Sequence, residues 1–363
     1  MGSSQIDSQH DNRRRASATT SSFLARPWLR GGHIQTIASF LIPRRIHLPQ
    51  PEERLIEVAP EVKVRCWGYW QPNRSEAQTI IAVHGLEGSS ESQYMLGVAR
   101  DGLAAGMNVI LMNQRNCGGM DDCAPVLYNS SLSADVAAVA RFILENEGVS
   151  RFALIGFSMG GNLVLKCAGE WGTNAPKEFQ AVAAVCPALD LAVSADALHE
   201  PANRIYEWYF LLQLFRRMRL KARYFPNHFD LSRLRGVTSL RLFDDRVTAY
   251  YCGFAGADDY YARAAAANVV DKIAVPALII HAANDPFIRI RPETRAKILA
   301  NPNITYIETA DGGHCAFVGA PDGDGYDGRW AEREVVEFVR RVWQLTEPQQ
   351  RGVIPNGAAF PAE

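Results

Sequence analysis

The 363-residue chain has almost no net charge: 38 Lys and Arg stand against 39 Asp and Glu, a formal balance of -1. Such a chain carries no overall field for gripping nucleic acid or an anionic membrane, so nucleic acid is not an expected partner. No apolar run reaches the roughly 18 residues that a membrane-spanning helix needs. The basic residues Arg13, Arg14 and Arg15 are not followed by an apolar segment, which argues against a secretory signal. Ile6 stands where a myristoylation pattern needs Ser or Thr. The seven cysteines are odd in number and include no Cys-x-x-Cys pair, so they read as reduced, cytoplasmic residues rather than a disulfide framework. Zinc-type His/Cys spacing is absent, and neither a P-loop nor a G-x-G-x-x-G follows a strand, so no cofactor and no metal are expected. No internal repeat is found.

What is present is an ordinary globular composition, 47% hydrophobic and 21% charged, enough for a large core. Residues 1–22 are polar and aperiodic, and 347–363 read the same way, so both are expected to be disordered tails. Between them lie continuous apolar runs, "TIIAVHG" (79–85), "MNVILMNQR" (107–115), "RFALIGF" (151–157), "QAVAAVCPA" (180–188), "VPALIIHAA" (275–283) and "ITYIETA" (304–310). They have the character of strands buried on both faces. Helical patterns separate the first four, and the alternation predicts an α/β fold with a mostly parallel central sheet flanked by helices, built from 23–190 and 266–346. The interval 191–265 is aromatic and basic, and reads as a helical lid inserted after strand 6, over the carboxyl edge where such folds bind ligands.

"ALIGFSMGGNLVL" (153–165) sets one serine among glycines. Gly156-Phe157-Ser158-Met159-Gly160 fits G-x-S-x-G, and it ends an apolar strand and starts a helical pattern, the context the motif requires. A serine in such a turn is lifted clear of the sheet near the positive end of the next helix, where the Met159 amide can face developing negative charge.

A hydroxyl needs a base, and the base needs a third group to orient it. Of the eight histidines, His314 fits best, because it follows the late run "ITYIETA" and the turn Asp311-Gly312-Gly313. His10 lies in the tail, His33 and His47 precede the sheet, His199 and His228 belong to the lid, and His84 and His281 read as structural residues at strand ends. Asp285, the first carboxylate after "VPALIIHAAN", is the preferred acid, with Asp190 and Asp311 as competitors and Asp244 and Asp245 placed in the lid. The order Ser158, Asp285, His314 is that of an α/β-hydrolase. In "VHGLEGSSESQY" the amide of Leu86 is the expected second oxyanion donor beside Met159.

With these residues in place the chain resembles an α/β-hydrolase. More narrowly it is similar to the YheT-like branch, which includes bacterial hydrolases, medium-chain ester synthases of yeast and the animal ABHD1–ABHD3 proteins. The stretches that carry the likeness are "WLRGGHIQTI" (28–37), "HGLEGSSESQY" (84–94), "NQRNCGG" (113–119), "GFSMGGN" (156–162), "NDPFI" (284–288) and "GGHCAFV" (312–318). The resemblance implies a triad at Ser158, Asp285 and His314 and activity toward short- or medium-chain acyl esters or lipids. "WLRGGHIQTI" and "NQRNCGG" read, by themselves, as packing and turn elements near the rim of the site.

The expected function is a serine carboxylic-ester hydrolase working through an acyl-enzyme on a small-molecule acyl ester or lipid. An alcohol O-acyltransferase with the same triad is the nearest alternative, and a ligand-binding protein on a hydrolase scaffold is the more distant one. The lid run "WYFLLQLFRRMRLKARYF" reads first as a cover for an acyl pocket and second as a peripheral membrane contact. Oligomeric state is not legible.

Overall fold

The computed structural model describes residues 23–321 and 326–346; the expected tails 1–22 and 347–363 lie outside the described residues. Eight strands form one sheet: β1 (Glu52–Ala59), β2 (Val62–Tyr69), β3 (Thr79–Val83), β4 (Asn108–Met112), β5 (Phe152–Phe157), β6 (Phe179–Val185), β7 (Ala277–Ala282) and β8 (Ile304–Thr309). Their spatial order is β1-β2-β4-β3-β5-β6-β7-β8. β1 and β2 pair antiparallel with each other, and β2 pairs antiparallel with β4. The strands from β4 to β8 run parallel.

Every residue of β3, β4, β5 and β7 is buried, because these strands are covered on both faces. In β3, Ile81 and Val83 pack with the helices Ser133–Asn146 and Met159–Trp171. Ile80 and Ala82 pack with the helices Gln93–Ala104 and Trp330–Thr346 on the opposite side, as the period of two along a strand demands. Each fully buried aliphatic side chain contributes roughly 1.5–3 kcal/mol relative to exposure.

Two features differ from the sequence reading. β8 is half-buried and not buried on both faces, since it is an edge strand with one neighbour. β1 and β2 are absent from the list of apolar runs because "EERLIEVA" alternates charge with apolar residues; only Ile56 of β1 is fully buried.

Between β6 and β7 lie the helices Leu191–Leu198, Arg204–Tyr224 and Ala257–Ala264, with a further helical stretch over 240–252 that contains a π turn at Asp244–Thr248. They gather a separate apolar cluster from Leu211, Leu214, Met218, Phe243 and Val247, joined by Phe287 and Ile288 from the loop after β7. Among the described residues, no helix is long and apolar enough to cross a membrane.

Candidate active site

The chain leaves β5 at Phe157 and enters the helix Met159–Trp171 through Ser158 alone, with φ 54° and ψ -119°. A side chain at that angle is strained, and the strain persists only where the surroundings fix the backbone. Here the Ser158 amide donates to Val185 O at 2.9 Å, and its carbonyl accepts from Asn162 N at 3.1 Å and Ala188 N at 3.2 Å. The motif glycines are required sterically. A Cβ at Gly156 would lie 2.3 Å from Gly160 O, and one at Gly160 would lie 2.3 Å from Val83 O.

His314 sits on the loop after β8, and its Nε2 is 2.9 Å from Ser158 Oγ. Its Nδ1 is 2.8 Å from Asp285 Oδ2. Asp285 follows β7, and its other oxygen accepts the amides of Phe287 at 3.1 Å and Ile288 at 2.9 Å. Burial opposes the charge on Asp285, but the His314 imidazole and the Ile288 amide outweigh it and hold the carboxyl below its ordinary range. An ionised carboxylate only accepts, so Nδ1 carries the proton, and in the neutral imidazole Nε2 is left to accept from the serine hydroxyl. Burial also pushes the His314 pKa down, and the Cys315 sulfur and the Asp285 carboxylate overcome this and raise it. Phe287 packs its ring 4.3 Å from the imidazole, centroid to centroid.

The competing acids lie elsewhere. Asp190 accepts Arg291 N at 2.9 Å and Thr294 Oγ1 at 2.9 Å, and Asp311 accepts Gly31 N at 3.1 Å and Asn284 Nδ2 at 2.8 Å. Asp244 is bonded to Thr248 and Tyr261, both at 2.7 Å.

Leu86 and Met159 supply two main-chain amides beside the serine. Gly85 N donates to Tyr94 OH at 3.0 Å and Glu87 N to Tyr128 OH at 3.1 Å. The Leu86 amide between them, like that of Met159, has no acceptor among the described residues. The loop lies close: a Cβ on Gly85 would be 3.1 Å from Ser158 Cβ.

Two stretches read as packing elements hold these loops in place. In "WLRGGHIQTI", Thr36 Oγ1 accepts the His314 amide at 2.9 Å, while Gln35 bonds both the amide and the carbonyl of Val318 at 2.8 and 3.1 Å. In "NQRNCGG", Gln114 donates its amide to His84 Nε2 at 3.1 Å and its side chain to His84 O at 2.7 Å. His84 is fully buried, and burial pushes its pKa down to about 4. It stays neutral and buttresses the Leu86 loop. Tyr128, Thr36 and Gln114 were not singled out from the sequence because their partners lie 30 or more residues away, and Tyr94, nine residues from Gly85, carries no local signal of that bond.

Ser158 opens onto two cavities. One, of about 100 Å³, is mainly apolar and runs under the inserted helices past Leu127, Leu191, Leu214 and Phe243. The other, of about 310 Å³, holds His314 and Cys315 and is edged by Phe40, Arg44, Tyr209 and Arg329. Two triads of possible metal ligands share Cys186, one with His314 and Cys315, the other with His281 and Asp285. The donor atoms of His314 and the Oδ2 of Asp285 are already spent on each other and on Ser158.

A family profile described as alpha/beta hydrolase fold matches residues 78–321. The putative esterase YheT of Escherichia coli is 29% identical over 79% of this chain and 84% of its own length. Mouse phospholipase ABHD3 is 27% identical over 67% of this chain; the match spans 59% of that longer protein. The Pyrococcus furiosus esterase Pf2001 shares the fold at a TM-score of 0.53 and 18% identity, over 82% of this chain and 98% of that one. The profile takes in β3 through β8 and the turns that bear Ser158, Asp285 and His314, so the chain belongs to the α/β-hydrolase fold family and is a hydrolase enzyme.

Proposed function

We propose that the protein is a serine carboxylic-ester hydrolase for short- to medium-chain acyl esters, with Ser158 as nucleophile, His314 as general base and acid, and Asp285 as the group that orients His314. The observation that carries this reading is one imidazole within hydrogen-bond reach of both the Ser158 hydroxyl and the Asp285 carboxylate. Ser158 Oγ attacks the acyl carbonyl as His314 Nε2 takes its proton, and the amides of Leu86 and Met159 receive the oxyanion. His314 returns the proton to the departing alcohol. Water, deprotonated by the same nitrogen, then splits the acyl-serine to release the acid and restore the hydroxyl.

The apolar cavity suits the acyl chain, and the wider one the alcohol. The helices of 191–265 act in this reading as a lid, since they line the acyl side. The names of YheT and ABHD3, an esterase and a phospholipase, support an ester or lipid substrate. A peripheral lipid contact is part of the proposal. On the exposed side of the helix Arg204–Tyr224, Ile205, Trp208, Tyr209 and Leu212 are followed at helical spacing by Arg216, Arg219 and Arg223. The cysteines are all unpaired, in keeping with a cytoplasmic location.

Replacing Ser158 by Ala tests the assignment: turnover of p-nitrophenyl butyrate and labelling by a fluorophosphonate should both vanish. A variant that keeps either would refute it.

A further inference from the structure

Two arginines line the wider cavity beside Ser158 and His314, and they are partnered differently. Arg44, its side chain 5% exposed, lies 2.8 Å from Asp327 and 2.7 Å from Glu332. Arg329 is 4% exposed, yet among the described residues its guanidinium makes one hydrogen bond, from Nη2 to Ser39 O at 3.5 Å. Asp327 accepts the main-chain amide of Arg329 at 3.2 Å, and its carboxylate is committed to Arg44 and Arg100. Burial, and after it the nearby positive charge of Arg44, lower the Arg329 pKa, while Glu332 and Asp327 pull the other way.

The unbonded donors of Arg329 are not sealed in protein but face the cavity, where a bound group can supply acceptors. Arg329 directly precedes the helix Trp330–Thr346, whose amino end adds positive potential. The planar guanidinium fork matches the oxygens of phosphate or carboxylate, which can engage its Nε and Nη atoms in parallel. Glu332 faces the same cavity but is spent on Arg44 through both oxygens, at 2.9 and 2.7 Å. Glu87 and Glu91, from the loop after β3, also line the cavity; Glu87 is paired with Arg217 through both oxygens, and Glu91 stands on the exposed rim.

We propose that Arg329 is the specificity-determining residue of an anion subsite on the alcohol side, so that the preferred substrates are acyl esters whose alcohol half carries an anionic group such as a phosphate. This rests on the hydrolase reading, because it takes the wider cavity as the seat of the leaving alcohol.

The test compares two butyrate esters that differ only in charge, 1-butyryl-glycerol 3-phosphate and 1-butyryl-glycerol. The unmodified enzyme should favour the phosphate ester in kcat/KM by about 10- to 100-fold, the worth of one charge-assisted pair. Arg329→Gln should erase that preference chiefly through KM, and Arg329→Lys should restore part of it. Thermal melting of both variants establishes that they are folded. If Arg329→Gln does not fold, the unmodified enzyme still decides: glycerol 3-phosphate should compete with the neutral ester, and glycerol should not. Equal kcat/KM for the two esters, or inorganic phosphate competing as well as glycerol 3-phosphate, overturns the proposal. Failure of the hydrolase reading looks different, since neither ester would then be turned over through Ser158.

Discussion

The sheet and the helices inserted between β6 and β7 are held together in different ways. The sheet relies on continuous apolar strands and main-chain hydrogen bonds, and its functional turns are fixed by backbone: Ser158 by Val185 and Ala188, Asp285 by the amides of Phe287 and Ile288. The insertion adds buried charge to its apolar cluster. Arg217 on the helix Arg204–Tyr224 grips both oxygens of Glu87 at 2.9 Å and reaches Asp121 at 2.9 Å. Lys221, fully buried, donates to Asn116 Oδ1 at 3.1 Å and to the carbonyls of Asp121 and Ala124. Glu207, also buried, accepts the Leu240 amide at 2.8 Å. The core places atoms by close packing and main-chain bonds, whereas the insertion adds ionic contacts to the apolar cluster it shares with Phe287 and Ile288. One of those contacts ends on the residue next to Leu86.

The contrast is broken most strongly at the core. Ser158→Ala should lower esterase turnover by about 10³-fold or more while leaving the urea midpoint near that of the parent, because the hydroxyl is a small part of a turn set by backbone.

Asp285→Asn should cost nearly as much in kcat, about 10³-fold, and should also move the pH profile. The Cys315 sulfur and, after it, Asp285 raise the His314 pKa, and catalysis needs neutral His314. Activity of the parent therefore falls as pH drops through that raised value. Removing the carboxylate lowers the His314 pKa and shifts the acid limb of kcat/KM toward lower pH. An acid limb that stays in place would show that Asp285 does not govern His314.

Arg217→Met probes the join between the two regions. It leaves the buried Glu87 carboxylate without its cation, with the Tyr128 hydroxyl still donating to it, so chemical denaturation should show a loss of about 3 kcal/mol. The loosened Leu86 loop should lower kcat more than it raises KM. A stability loss with unchanged kcat would mean that the insertion braces the fold but not the oxyanion loop.

The smallest effect is expected on the outer face of the insertion. Trp208 is 67% exposed, so Trp208→Ser should change stability by less than about 0.5 kcal/mol and leave turnover of a soluble ester intact. Its retention on anionic vesicles in co-sedimentation should drop. Unchanged retention would remove this face from the membrane reading.

Much of the sheet was legible because parallel strands covered on both faces are apolar along nearly their whole length, as 80–83, 109–112 and 152–157 are. β1 was not, because an edge strand needs only alternate apolar residues and its neighbours Glu52, Glu53 and Glu57 resemble a loop. Ser158, Asp285 and His314 could be named from a motif, a chain order and local turn chemistry. Their supports could not. Thr36 bonds the main chain of His314 across 278 residues, and nothing local to either residue signals the other. The same holds for Arg217 and Glu87, which are 130 residues apart. "RRMRLKARY" gives no sign that Lys221 turns inward while Arg219 stays exposed.

By itself, then, the sequence determined the strand-turn-helix at Ser158, the parallel sheet behind it and the kinds of side chain available to meet there. These follow from local sterics and from burial, which neighbouring residues encode. Tertiary structure alone decided which distant side chains brace the His314 loop, which loop amides are left without acceptors, and which of two arginines keeps its donors free. Those outcomes depend on distances between segments far apart in the chain, and such distances exist only once the core has closed.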